Sequence, residues 1–323
     1  MGIFDFFKKK SKIVQVETEK EVMTNPSIEE IEVHTPPNEI TAVEESIEPY
    51  VNEATQMETA SMKEESIVVV SDDHGVHGDN FGGLIGFSNL EQEEGREWIN
   101  EGVGLAYDQI SRIENDEFRI AEASFEEGGK VKMRAVIFKD GPYKGEILSA
   151  FPYVETDYSL PFKTKRITEW SHADFKEAEI EGGGRDTFEL SFYATDYAVN
   201  EERYKSEQQL NIKLSAVGLV LDKSDLTAIE GVPFSPDFCS FMPNKEVPSP
   251  SYYDFIGVLN SFKKCKIKEG NYGYLMQVKL INKEDDPNFF TIDLFINEAN
   301  MRFTDVKPGM KITGAFWLQG EIA

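Results

Sequence analysis

Phe290-Thr291-Ile292-Asp293-Leu294-Phe295-Ile296 sets Phe290, Ile292, Leu294 and Ile296 on one side of an extended chain, with Thr291 and Asp293 opposite. A period of two with one apolar side is the mark of a strand with one buried face. Upstream, Asp285-Asp286-Pro287-Asn288 reads as a turn, and Met276, Val278 and Leu280 alternate with Gln277 and Lys279 as a second strand. Asp254-Phe255-Ile256-Gly257-Val258-Leu259 is a third. A further strand is expected across Lys263-Lys264-Cys265-Lys266-Ile267-Lys268. Downstream, Asn297 to Phe303 suits a short helix. Lys307-Pro308-Gly309 then turns into a closing strand, Met310 to Leu318, with Ile312, Phe316 and Trp317 available to a core.

Two strands, a hairpin, a third strand, a short helix and a closing strand resemble an OB-fold barrel. The module before it repeats the order, with Thr187 to Phe192, a helical turn near Glu201 to Tyr204, and Leu210 to Leu214. Sliding the chain by one hundred residues lays Leu190, Phe192, Leu210 and Ile212 over Phe290, Ile292, Met310 and Ile312. Further strands are expected at Val131 to Ile137, with Lys132 and Arg134 on the polar side, at Glu146 to Val154, and at Ala178 to Ile180. Gly182-Gly183-Gly184 is read as a hairpin loop. From Glu91 to Glu114, the apolar spacing of Trp98, Ile99, Val103, Ala106, Tyr107 and Ile110 predicts a helix. The expected class is α+β, predominantly antiparallel β, with tandem OB-like barrels as its finer form, preceded by a disordered acidic N-terminal tail. The expected divisions are a docking segment (1–13), an acidic linker (14–80), an α+β domain (81–235), a proline-rich linker (236–250) and a small OB-like domain (251–323).

The 323 residues carry 33 Lys+Arg against 59 Asp+Glu, a net charge of −26. Residues 1–80 hold 6 basic and 18 acidic groups, whereas residues 241–323 hold 10 of each. A field of that sign repels nucleic acid and anionic membranes except at local basic patches. Two such patches exist, at Lys8 to Lys12 and at Lys263 to Lys268. Two cysteines, Cys239 and Cys265, cannot supply a disulfide framework or a cysteine-based zinc site, and both suit small core positions. No run approaches the roughly 20 apolar residues of a membrane-spanning helix.

At the N terminus, Ile3, Phe6, Phe7 and Lys10 share one helical face with Phe4 on its flank, and Lys8, Lys9 and Lys12 complete a basic cluster. Positive charge after a short apolar run is the reverse of a secretory signal, and Phe6 breaks the myristoylation pattern at Gly2. This segment is a candidate for docking on a membrane surface or a partner protein. The chain to residue 80 lacks sustained periodicity and reads as a tether spanning about 45 Å. Within it, Ser66-Ile67-Val68-Val69-Val70-Ser71 is a β-branched run flanked by acids, suited to pairing with an edge of the protein's own sheet. His74 and His77 lie among Asp72, Asp73 and Asp79 in a glycine-containing loop with no rigid frame and read as polar linker.

No phosphate loop and no Gly-x-Ser-x-Gly elbow is present, and Ser171-His172 is the one Ser–His neighbour pair. Adjacent side chains on a strand point apart, so this pair lacks the geometry of a nucleophile and its base. The reading leans away from an enzyme and implies no cofactor and no metal. It favours a cytoplasmic, non-catalytic binding or adaptor protein with a protein partner and peripheral membrane contact through residues 1–13. The alternative is single-stranded nucleic-acid binding through Lys263, Lys264, Lys266, Lys268, Tyr272 and Tyr274, where base and aromatic interleave. The overall charge disfavours it, as does the common use of lysines to protect an edge strand. An enzyme whose site leaves no sequence signature is the third class.

Overall fold

The computed structural model describes residues 66–71, 80–170, 176–184, 188–225, 228–229, 232–233, 235, 238–284, 286 and 288–323. The docking segment, residues 14–65, the His74–His77 cluster and Ser171–His172 lie outside the described residues.

Strand β1 (Ile67–Ser71) is followed by the short helices α1 (Phe81–Ile85) and α2 (Phe87–Leu90), then α3 (Glu93–Tyr107). The strands β2 (Ser111–Glu114), β3 (Phe118–Ser124), β4 (Val131–Phe138) and β5 (Ile147–Val154) form an antiparallel four-stranded meander. The expected helix therefore stops at Tyr107, and Ser111 to Glu114, assigned to its C-terminal end, are corrected to strand. Ile110, assigned to the helix's apolar face, is 93% exposed in the connection. Arg134 also departs from expectation: it is buried, for a reason given below.

Next come β6 (Ser159–Trp170), β7 (Ala178–Gly184), β8 (Phe188–Ala194), α4 (Tyr197–Ser206) and β9 (Leu210–Lys223). A two-residue pair, β10 (Ala228–Ile229) with β11 (Val232–Pro233), leads to β12 (Ser240–Pro243). Then follow β13 (Tyr252–Lys268), β14 (Asn271–Ile281), β15 (Phe290–Asn297), a single 3-10 turn (Glu298–Asn300) and β16 (Lys311–Ile322). Gly182 to Gly184 continue β7 and pair with β8, so they are strand rather than loop. The two strands expected within residues 254–268 are one, β13. The short helix expected from Asn297 to Phe303 is the single 3-10 turn.

The large sheet has ten strands in the order β1-β6-β7-β8-β16-β9-β15-β14-β13-β12, with further pairings of β6 to β9 and β16 to β13. Those two extra pairings close it into two five-stranded rings. In one, β13, β14, β15, β9 and β16 follow one another around the ring, and only the β15–β9 pair is parallel. In the other, β6, β7, β8, β16 and β9 do the same, and only β8–β16 is parallel. Each ring has the OB arrangement, with a helical turn between its third and fourth strands. The fourth strand of each serves as the fifth of the other, so β9 and β16 belong to both.

The duplication extends to the register. Val217 pairs with Phe295 as Gln319 pairs with Tyr193. The antiparallel register of β6 is interrupted between Thr164 and Arg166, and that of β13 between Leu259 and Ser261. Lys165 and Asn260 are thus extra residues at equivalent places, where each first strand leaves its ring closure. Tyr193 falls on Phe295, so Leu190 falls on Ile292 rather than Phe290. The sequence slide of one hundred was two residues short but in phase, which is why apolar positions still coincided.

The ring interiors form one continuous core that includes Phe162, Ile180, Phe192, Leu214, Phe255, Val278, Ile292 and Phe316. A second core lies between the outer surfaces of β9, β15 and β16 and the layer made by the meander with α1 and α3. It includes Leu84, Ile99, Met133, Phe151, Tyr193, Val217, Phe295 and Trp317. Phe151, Tyr193 and Trp317 pack ring to ring there, with Tyr193 and Trp317 centroids 5.1 Å apart. Burial of aromatic side chains on this scale dominates the energetics of joining two layers.

Candidate functional site

The β13–β14 hairpin gathers all six residues of the sequence-predicted patch. Lys264 faces Tyr274 and Lys266 faces Tyr272 across the hairpin. The Lys264 ammonium lies 4.8 Å from the Tyr272 ring centre and 5.8 Å from that of Tyr274. It also meets the Glu298 carboxylate at 2.6 Å, and that hydrogen bond raises its pKa. Lys266 meets Glu269 at 2.5 Å, which likewise raises its pKa. Lys268 lies 5.7 Å from the Trp98 ring centre, and Lys263 is 3.9 Å from Glu126. The basic run thus carries its own carboxylates and aromatic partners, which lowers the positive field it offers an anion.

Two adjoining clefts flank this hairpin. The first, about 250 Å³, lies between the β3–β4 loop and β13 and is lined by Phe125, Glu126, Lys130, Lys263, Cys265 and Lys266 among others. Cys265 is buried, and that burial pushes its thiol pKa up, away from the reactive thiolate. The second, about 460 Å³, opens over the β14–β15 surface, where Asn260, Gln277, Asn288, Thr291, Asp157 and Asp293 line it. Lys130 and Asp293 border both clefts. Lys130 is ion-paired with Asp157 at 2.8 Å, Thr156 donates to Asp293 at 2.9 Å, and Asn260 donates to Asn288 at 3.2 Å. The face made by the second and third strands is where OB-folds take oligonucleotides and oligosaccharides.

The strongly displaced ionisable groups lie elsewhere, and the Arg134 cluster joins the meander to β16. Arg134 stacks on Tyr153, its guanidinium carbon 3.5 Å from the ring centre. It donates to Glu321 at 2.8 Å, to Thr195 Oγ1 at 2.8 Å and to Glu122. Arg112 clamps the same Glu321 carboxylate through two hydrogen bonds of 2.7 and 2.8 Å. Burial pushes the Glu321 carboxyl up, but the Arg134 charge and the Arg112 hydrogen bond more than offset it, holding the pKa at about 2. In the opposite direction, burial raises the Glu179 pKa against hydrogen bonds from Ser249 and Ser251. Burial also raises that of Asp196, which accepts from Tyr204 at 2.7 Å and Asn200 at 2.7 Å.

Among the described residues, no group of three or more His, Cys, Asp or Glu side chains is placed to hold a metal ion. Among them also, no helix is long and apolar enough to cross a membrane. Comparisons with protein-family models, curated proteins and solved structures gave no match to this chain.

Proposed function

We propose that this is a non-catalytic, cytoplasmic binding protein of the adaptor type. In this reading the ring of β13, β14, β15, β9 and β16 presents the partner site, and residues 1–13 tether the body to a membrane surface or a protein. The observation that carries the reading is the pair of adjoining clefts beside the lysine hairpin, the second of them lined by amide, hydroxyl and carboxylate groups. These groups can hydrogen-bond an incoming chain, but none forms a nucleophile–base pair, and the neighbouring thiol has a raised pKa. The groups with the largest displacements are bonded to other side chains away from these clefts.

A single-stranded nucleic-acid partner draws support from the lysines and tyrosines sharing one hairpin. The carboxylates already bonded to Lys264 and Lys266 weigh against it.

The experiment is affinity capture with full-length protein, a variant lacking residues 1–13, and the cleft variant Asn260→Arg with Gln277→Arg. The cleft variant is expected to lose a specific partner while staying folded, and the truncation to change the protein's location in the cell. Unchanged partners and unchanged location in both variants overturn the proposal.

A further inference from the structure

Strand β1 lies parallel to β6, with Ile67 opposite Arg166 and Ser71 opposite Trp170. The opposite edge of β6 over this stretch belongs to β7, so β1 occupies the edge that β6 exposes on leaving β9 at Phe162. Its side chains contribute little to a core: Ile67 is 64% and Val70 is 62% exposed. Main-chain pairing therefore holds it, as in the docking of extended peptides on sheet edges.

The duplicated register gives β13 the same edge. Ser261 to Cys265 correspond to Arg166 to Trp170, starting immediately after the equivalent extra residue. One edge of this stretch pairs with β14. On the other, pairing with β16 ends at Val258, and Leu259 makes the last main-chain contacts, with Gly309 and Met310. Among the described residues, no strand continues along that edge beyond Leu259. At its far end the Lys266 amide donates to the Glu126 carboxylate at 2.8 Å, a side-chain oxygen standing where a strand carbonyl would.

We propose that the β13 edge at residues 261–265 accepts an extended β-branched strand with acidic flanks from a partner protein, parallel to β13, as β6 accepts β1. This rests on the adaptor reading and names the chemistry of its partner. Two observations select that occupant. The strand seated on the equivalent edge is Ile67-Val68-Val69-Val70-Ser71, bounded in sequence by Glu64, Glu65, Asp72 and Asp73. The β13 edge carries Lys263, 71% exposed and no nearer than 3.9 Å to Glu126, which can meet an acidic flank, while Lys264 and Lys266 keep Glu298 and Glu269 as partners. The preference for an acidic strand over a like-charged one is thus part of the edge itself.

The test is hydrogen exchange of the full-length protein with a synthetic peptide spanning residues 64–73. Slowed exchange within residues 261–266 is expected. It should be lost in the Lys263→Glu, Lys264→Glu protein and preserved in Lys263→Arg, Lys264→Arg. Of two peptides N-methylated on alternate amides, one should retain binding and the other lose it, because only one set faces a pairing strand. Protection at residues 166–170 in place of 261–266 overturns the proposal, since the peptide has then replaced β1. Equal protection by a scrambled peptide overturns it by reducing the effect to charge, and no protection overturns it directly. If the peptide fails while the cleft variant still loses a captured partner, the edge assignment falls and the adaptor reading stands.

Discussion

Arg134 of β4 donates to Glu321 of β16 across 2.8 Å, and no part of the Arg134 side chain reaches solvent. The four-stranded meander is thereby fastened to a strand that belongs to both barrels. An arginine is tolerable in that seam because Glu122, Glu321, Thr195 and the Tyr153 ring together satisfy it. Its position on an alternating strand predicts a solvent-facing charge; the second layer reverses that outcome.

Removing one partner of such a pair leaves a buried charge uncompensated, at a typical cost of about 3–5 kcal/mol. Arg134→Met is expected to lower stability by less than that in urea unfolding, because Arg112 still clamps Glu321, and Arg112 and Lys132 still meet Glu122. Adding Glu321→Gln should recover part of it, so the double-mutant cycle yields a favourable coupling. Strictly additive losses would show that the two side chains do not act as a pair.

The low Glu321 pKa fixes the direction of a pH effect. A carboxyl that falls from 4.5 to about 2 on folding favours the folded state above its unfolded pKa, and this contribution disappears as pH falls through 2. The shift corresponds to about 3 kcal/mol at neutral pH. Unfolding free energies measured between pH 6 and pH 2 should fall more steeply for the natural protein than for Glu321→Gln. Equal slopes would show that Glu321 has no part in acid sensitivity.

Glu179 behaves in the opposite sense. Its pKa is raised by burial, so its ionisation opposes folding, and stability declines as pH rises from the unfolded value through the folded one. Glu179→Gln keeps an acceptor for Ser249 and Ser251 while removing the charge. It is expected to raise the melting temperature above pH 7 and to have a smaller effect near pH 4. A lower melting temperature at both pH values would show that the carboxylate itself is required.

The phase of each strand decided how much of this could be read beforehand. In β15, Phe290, Ile292, Leu294 and Ile296 keep one phase throughout, and the strand is found where it was expected. In β6, Leu160 and Phe162 point inward before the extra residue Lys165, and Ile167 points inward after it. The change of phase erases the alternation, and β6 carried no sequence signal. Asn260 does the same to β13 and makes one strand resemble two. The lysine–tyrosine hairpin was legible because its members are near neighbours in sequence. The clefts were not, since Lys130, Asp157, Asn260 and Asp293 come from distant parts of the chain.

The sharing of β9 and β16 makes a last prediction. Gly218 and Gly320 occupy equivalent places where each strand passes its parallel neighbour, β15 or β8. A Cβ on Gly320 would stand 2.3 Å from the Phe192 ring, and one on Gly218 would stand 2.8 Å from the Ile296 Cδ1. The two contacts differ in how far they can yield. The Ile296 Cδ1 can turn aside, although the Phe295 carbonyl oxygen at 3.1 Å and the Ile296 Cβ at 3.2 Å stand close behind it, whereas the buried Phe192 ring is hemmed in by Phe162 and Tyr204, with centroids at 5.3 and 6.5 Å. Overpacking a core by a methyl group costs about 1–3 kcal/mol. Gly320→Ala should fall in the upper part of that range and Gly218→Ala in the lower. Phe192→Leu should soften the Gly320→Ala loss by giving the new methyl room. Urea unfolding of the three single variants and of Gly320→Ala with Phe192→Leu measures this directly. A Gly320→Ala protein as stable as the natural one would mean that β16 can shift within the ring that contains β8 without disturbing the ring that contains β15, contrary to a strand held in both rings at once.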